Sequence, residues 1–557
     1  MKQTKYLILL FAIAVLSGCD LLDIDESTGA TKESVFESVE RSKSFLTQVY
    51  SYLPSDFNAV DGTSRSCATD DAEYVRDISL IRMMNDGSWS KLNTIDSQWD
   101  TYYSAIRSAN QFLENYDLKA LDFYQYKVNP PYEDVKAQFI NYQYEARFLR
   151  AFYHFELAKR YGDIPLVREV LTEEEANTVS RTPFQEVIRF IADECDTVAQ
   201  YLPVSYLNMP GAQETGRATK GAAMALKARA LLYAASILHN PDNDPGKWKE
   251  AAEAALALID SAEIKGWYSL PANYFDYNVL ASKELILESR EAKSNYFERA
   301  NFPVGYEGGN TGICPSQNLV DAFEMTKASG GGEFSWNNPV HRAAPYANRD
   351  QRLARTVLVD GALLRGVAVQ SYIGGKNGVP VREATKTGYY LRKFLVEAVS
   401  LSPANTTTAD HFWPIFRYAE VLLNYAEAMN EAFPGNSQHT DAIFTRSAEW
   451  ALNKVRSRAL ITEVSGLNYT DFQKQVRNER RVELAFEDHR FWDIRRWKIG
   501  DEATTIYGTK IELTDTGKAY TPNQVVSNRS WNDRMYLYPI PANENYINPK
   551  LGQNPDW

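Results

Sequence analysis

Metal-binding and disulfide chemistry have little to work with in this chain, which carries four cysteines and six histidines among 557 residues. Secreted scaffolds stapled by disulfides are short and cysteine-dense, so that class is excluded. His154, His239, His341, His411, His439 and His489 share no spacing suited to one metal ion, and no metal or cofactor is expected. Positive charge is also in deficit. The formal net charge of −12 argues against nucleic acid, which needs a basic face. Catalytic signatures are missing too: no G-x-x-x-x-G-K-[ST], H-E-x-x-H, G-x-S-x-G or strand-to-helix G-x-G-x-x-G occurs. With 72 acidic residues, some pair could always be nominated as a glycosidase dyad, so carboxylates alone carry no information. The sequence gives no ground for expecting an enzyme.

Long apolar runs are absent after the first residues. Lys2 and Lys5 precede an apolar stretch, Tyr6 to Leu16, too short for a membrane span and suited to a secretory signal. It ends in Leu16-Ser17-Gly18-Cys19, the pattern of a bacterial lipobox. The expected layout is therefore a signal peptide over 1–18, a lipidated Cys19, and a flexible acidic tether over 19–30 containing Asp20, Asp23, Asp25 and Glu26. Acyl chains contribute ~0.8 kcal/mol per buried methylene, which makes such an anchor close to permanent. Cys67, Cys195 and Cys314 remain, an odd and widely spaced set read as buried thiols.

What the chain has in abundance is aromatic side chains, 34 Tyr, 25 Phe and 11 Trp, and helical periodicity. From Glu145, the residues Phe148, Ala151, Phe152, Phe155 and Ala158 fall on one helix face, ended by Gly162 and Pro165. Ala218, Ala222, Ala225, Ala228 and Ala235 let a second helix approach closely. A turn-rich break from Asn240 to Gly246 separates it from a third beginning at Trp248. That break faintly resembles a calcium loop through Asp242 and Asp244, but Pro245 stands where glycine is required. Helices are expected near 145–161, 217–238, 247–262, 416–432 and 471–488. Two small-residue helices joined by a short turn form the unit of tetratricopeptide-like arrays, although no strict 34-residue period can be traced. The fold class is therefore mainly α, with tetratricopeptide-like helix pairs, loop-rich insertions and a few short strands. Gly/Pro/Asn-rich stretches at 301–318, 328–348 and 374–381 read as long loops where function usually sits.

Four further segments complete the picture. VRNERRVELAFEDHRFWDIRRWKIG begins at Val476, LYPIPANENYINPKLGQNPDW at Leu537, WDTYYSAIRSANQFLENY at Trp99 and PYANRDQRLARTVLVDG at Pro345. Taken in chain order with the helical segments above, and behind a lipobox, they resemble the SusD/RagB family over essentially the whole mature chain. In the Leu537 segment, Asp556 replaces the family's usual glycine. Most of these residues read as scaffold. Glu487 with Arg490 and Asp493 with Arg496 are spaced as i,i+3 ion pairs, and Trp99, Tyr103 and Ile106 form a core stripe. The resemblance implies a right-handed array of helix pairs, divided as an N-terminal region 31–275 and a C-terminal region 276–557 within one compact unit. It also implies an outer-membrane lipoprotein exposed at the cell surface. Its expected partner is a SusC/RagA-type TonB-dependent transporter, over which it closes as a lid.

A sugar site needs flat rings for pyranose faces and Asp, Asn or Arg for hydroxyls. Two regions offer both. Asp70, Asp71, Tyr74, Arg76, Arg82 and Trp89 precede the Trp99 helix, with Trp89 in a polar turn as the expected platform. SusD-like proteins draw an Asp, an Arg and a Trp from such a region. Tyr296, Phe297, Tyr306 and Trp336 form the second group. Rival readings are a peptide ligand, as in RagB-type members, an adaptor binding only its partner barrel, and a glycoside hydrolase.

Overall fold

In the computed structural model, residues 32–208, 214–272 and 282–557 are described. Cys19, the signal segment and the whole of the 19–30 tether lie outside them. Ten longer helices carry the architecture: α1 Val39–Tyr50, α2 Trp99–Asn115, α3 Tyr132–Tyr161, α4 Phe184–Val198, α5 Lys220–Ala235, α6 Pro245–Lys265, α7 Tyr418–Ala432, α8 Ala448–Arg458, α9 Tyr469–Glu483 and α10 His489–Arg496. From α2 to α8 each helix packs on the next, and α9 returns onto α7. This succession of antiparallel neighbours is the expected tetratricopeptide-like arrangement. None of the helices is long and apolar enough to cross a membrane.

Local chemistry explains the boundaries. Thr219 caps α5 by accepting the amide of Ala222, and Ala222, Ala225, Ala228 and Ala235 are buried where α6 approaches. The break before α6 caps the helix. Asn240 bonds the backbone of Ala235 and Asp244, Asn243 accepts the Trp248 indole at 2.7 Å, and Asp244 caps Gly246. The helix expected from 416 begins at Tyr418 because the preceding residues pair as a strand. The one expected to run to 488 stops at Glu483. Phe486 and Asp488 then adopt positive φ, which ends the helical path before α10 begins.

Between α6 and α7 the chain leaves the array to build a loop layer. Antiparallel strands pair in it and beside it, three of them supplied by segments before α2 and after α10. β1, Ala72–Tyr74, pairs with β2, Ile313–Pro315, setting Glu73 opposite Cys314. β3, Leu285–Ser294, pairs with β4, Ala409–Arg417, and β5, Thr505–Thr514, forms a hairpin with β6, Gly517–Asn528. One buried core runs from Phe36 to Leu551, and a satellite around Phe302, Leu358 and Tyr390 supports the layer. Cys67, Cys195 and Cys314 are free and buried. Burial pushes the Cys67 and Cys314 thiols up to about 12.

The C-terminal block is knitted by buried ion pairs, one of them not the pair that spacing suggested. Asp493 does bind Arg496, at 2.8 Å. Glu487 instead reaches Arg417 and Lys393, while Arg490 turns to Asp70. Arg417 also bonds Glu284 at 2.8 Å and Glu483 at 2.6 Å, so a residue leading into α7 is locked to α9 and to the start of β3. Removing one partner would leave an uncompensated buried charge, worth about 3–5 kcal/mol.

Candidate ligand-binding site

The first candidate group divides into residues that face inward and residues that face out. Trp89 faces in. It is 0% exposed and packs edge-on against Tyr538 at 5.1 Å and Trp557 at 4.7 Å. Packed between these rings within the main core, it is core rather than an open platform. Asp70 and Asp71 are likewise buried. Asp70 is clasped by both nitrogens of the Arg490 fork, at 2.8 and 3.0 Å, and by Arg481 at 2.9 Å. Burial alone would raise its carboxyl, yet the two guanidiniums hold it well below the usual carboxylate range. Asp71 meets Arg481 at 2.7 Å, but burial prevails and its carboxyl is raised. Both carboxylates fasten this segment to the C-terminal block, which leaves them unavailable to a sugar hydroxyl in this conformation.

Beyond β1 the chain turns outward. Tyr74 is buried, but its hydroxyl accepts a hydrogen bond from exposed Arg76 at 3.2 Å. Arg82 binds Glu73 and donates to the Tyr74 carbonyl at 2.6 Å, pinning the loop between them. Glu73 is also held by Arg529 at 2.9 Å. The loop tip carries Ile78, 95% exposed, and Leu80, and is braced by Asp61, which accepts Ser79 at 2.7 Å and the Leu80 amide at 2.9 Å. Asp77 pairs with Lys386 at 2.7 Å.

Tyr296 joins this group from the second candidate region. A Cβ on Gly62 would come within 2.9 Å of its hydroxyl, so the ring lies against the Asp61-Gly62 turn with 48% of its surface exposed. Gly62 also has φ +78, a backbone that suits glycine. Because Asp61 holds the Ser79–Leu80 tip and Gly62 meets Tyr296, the Asp61-Gly62 turn joins Tyr296 to the loop that carries Arg76. The result is an outward face of one half-exposed ring, one exposed guanidinium that touches the Tyr74 hydroxyl, and an aliphatic tip, held by buried ion pairs. Asp61, Asp77, Ile78 and Lys386 are members that sequence reasoning missed. An apolar pair inside the polar run from Arg76 to Arg82 was the available signal.

The other candidates do not converge there. Phe297 is core, edge-on to Phe57 at 4.9 Å. Tyr306 packs on the satellite core, its hydroxyl donating to the Val367 carbonyl at 2.9 Å. Trp336 forms a separate shelf. Its indole donates to both oxygens of Asp321 at 3.1 Å, and Phe334 and Tyr520 flank it at 5.1 and 6.4 Å. Trp336 and Tyr520 are half-buried, so an aromatic edge and a carboxylate stay near solvent.

Comparison with known proteins agrees with this architecture. A family model described as the SusD family matches residues 281–557. A second, described as starch-binding and associating with the outer membrane, matches residues 22–232. A SusD-like protein of Formosa agariphila is 26% identical over 83% of this chain and 80% of its own length. A second from the same organism is 24% identical over 99% and 98%. Among solved structures, a SusD-like protein of Bacteroides fragilis is 26% identical with a TM-score of 0.76, covering 94% of this chain and 98% of its own. A SusD-like carbohydrate-binding protein of the same organism, also 26% identical, has a TM-score of 0.72 over 93% and 100%. With both halves matched and the helical array shared end to end, the chain belongs to the SusD family.

Proposed function

We propose that this protein is a cell-surface lipoprotein that captures oligo- or polysaccharide and passes it to a partner TonB-dependent outer-membrane transporter, over which it acts as a lid. Cys19 is the lipidated residue in this reading, and no bond of the ligand is broken. The observation that carries it is the outward face of Tyr296, Arg76 and the Ile78 loop. It offers a ring for a pyranose and a guanidinium for its hydroxyls, beside Asp70, Glu73 and Arg82, which are held in ion pairs. The matched description of starch binding and outer-membrane association supports both the ligand class and the place. So does the carbohydrate-binding relative of the same fold.

Titrating the ectodomain against a glycan panel tests the reading. Glycan binding that weakens in Tyr296→Ala and Arg76→Ala is the expected result. A flat response to all glycans would overturn it. The aliphatic tip favours one second reading: Ile78 and Leu80 have nothing to offer a hydroxyl but suit a peptide ligand. An unstructured peptide panel in the same assay separates the two.

A further inference from the structure

A second group of strongly exposed apolar side chains belongs to a different segment of the chain. A 3₁₀ helix, Leu118–Tyr124, follows α2 and leads into the turn before α3. Phe123 is 67% exposed, Tyr126 90% and Val128 89%, and Leu118 is more than half exposed. Their backbone is nonetheless fixed. Asp117 caps Lys119, Leu121 and Tyr124 are buried, and the Lys127 amide donates to the Tyr124 carbonyl at 2.9 Å. Four large apolar groups in eleven residues, held out on an anchored turn, mark a surface that something covers.

Position and charge identify the occupant. Phe36, near the first described residue, packs against Phe112 of α2 at 5.9 Å, and Tyr116, one turn further, closes on Phe112 at 5.8 Å. The apolar turn therefore lies at the end of the molecule where the chain enters from Cys19. The residues from Cys19 to Lys32 can span at most about 45 Å fully extended, so a lipid anchor at Cys19 holds this end close to the bilayer. The lysines carry no net attraction: Lys119 pairs with Asp117 and Lys136 with Glu133, while Lys127 lies 3.5 Å over the Phe123 ring. An aromatic and aliphatic tip with a snorkelling lysine is the chemistry of a membrane interface.

We propose that the 118–128 turn is a second membrane contact, inserting Phe123, Tyr126 and Val128 into the lipid surface in which Cys19 is anchored. The proposal rests on the lipoprotein reading above. Contact at two points orients the molecule on the membrane and presents the Tyr296 face in a fixed direction, which a tether alone would not do. Because the contact is apolar, it needs no anionic lipid and resists salt.

The test uses the acylated chain isolated from membranes and placed on phosphatidylcholine vesicles. A nitroxide is attached at Val128→Cys, with Val340→Cys, an exposed position on a short helix of the loop layer, as control. The three native thiols are buried and do not compete. Vesicles should raise the oxygen accessibility of the label at 128 several-fold over that to a water-soluble nickel chelate, in low and high salt alike, with no change at 340. A label at 128 that stays as open to nickel as the one at 340 would overturn the proposal alone. Immobilisation only when a co-purified transporter is added would overturn it in favour of protein docking. A chain whose mass shows no acyl addition overturns the anchor and this proposal together. Phe123→Ser with Tyr126→Ser should leave the fold intact and lower the oxygen signal.

Discussion

Single side chains in this protein divide sharply between holding and reaching, and neighbours in sequence fall on opposite sides. Trp89 holds. Truncating it to Ala would open a cavity between Tyr538 and Trp557 and should cost about 3–5 kcal/mol, read as a fall in melting temperature. A Trp89→Ala variant that melts normally but loses ligand would restore the platform role. Tyr296 reaches. Tyr296→Ala should lower ligand affinity about tenfold, equivalent to ~1.4 kcal/mol, while melting stays within a degree or two. Loss of both together would make Tyr296 a packing residue. Composition cannot separate these two rings, because what decides is the partner each one meets. Trp89 meets rings from the far end of the chain, whereas Tyr296 lies half-exposed with its hydroxyl against the Gly62 turn. Asp70 and Asp71 illustrate the same limit: their partners, Arg481 and Arg490, lie some four hundred positions away, beyond any local pattern.

At the scale of helices, periodicity was the reliable guide and polar bookkeeping the weak one. The alanine stripe of α5 and the aromatic stripe of α3 announce helices by their 3.6-residue spacing, although α5 and the second half of α3 are buried on nearly every side. The ends were less legible. α7 starts late because Arg417 is drawn into β4 and a buried ion cluster, and α9 stops early where Glu487 must turn toward Arg417 and Lys393. These boundaries are set by tertiary partners that no local signal encodes. One helix-borne group also sets an acid limit. His154 in α3 donates through Nδ1 to the Arg150 carbonyl at 2.8 Å and accepts the Val167 amide at Nε2 at 3.1 Å, so the fold requires the neutral ring. Burial lowers its pKa from 6.5 to about 4. Protons therefore favour the unfolded chain below pH 6.5: stability from this group is complete above that value and is lost as pH falls toward 4. Glu427 adds a second phase. Burial would raise it, but Arg496 draws it down to about 2, so its contribution disappears between pH 4.5 and 2. Denaturant midpoints measured from pH 8 to 3 should be level at first and then fall, with onset near 6.5. In His154→Gln, which keeps a neutral polar group, the first phase should shrink.

For the molecule as a whole, the expected arrangement is a helical body tied to a membrane and partnered by a barrel. Cys19→Ala should move the protein from the membrane fraction to the soluble one. Continued fractionation with the outer membrane, together with fatty-acid labelling, would remove the anchor from the reading. Solubilised outer membranes should yield the protein with a TonB-dependent barrel, and recovery only as a free monomer where comparable complexes survive would count against the lid role.

The seam between α6 and α7 joins helices separated by more than a quarter of the chain, the whole of the loop layer. In folding, the early helices can assemble in order of synthesis, but this seam waits until a very long loop has closed. Non-local closure slows the search more than it weakens the product, since doubling a loop adds only about 0.6 kcal/mol of closure entropy. The array is thus nearly indifferent to how long the intervening segment is, provided its two ends still arrive at Glu284 and Arg417, which bind each other directly. Exposed turns between those two gateposts can be lengthened, shortened or exchanged at small thermodynamic cost, so long as Phe297, Lys393 and the other side chains that tie the layer to the body are kept.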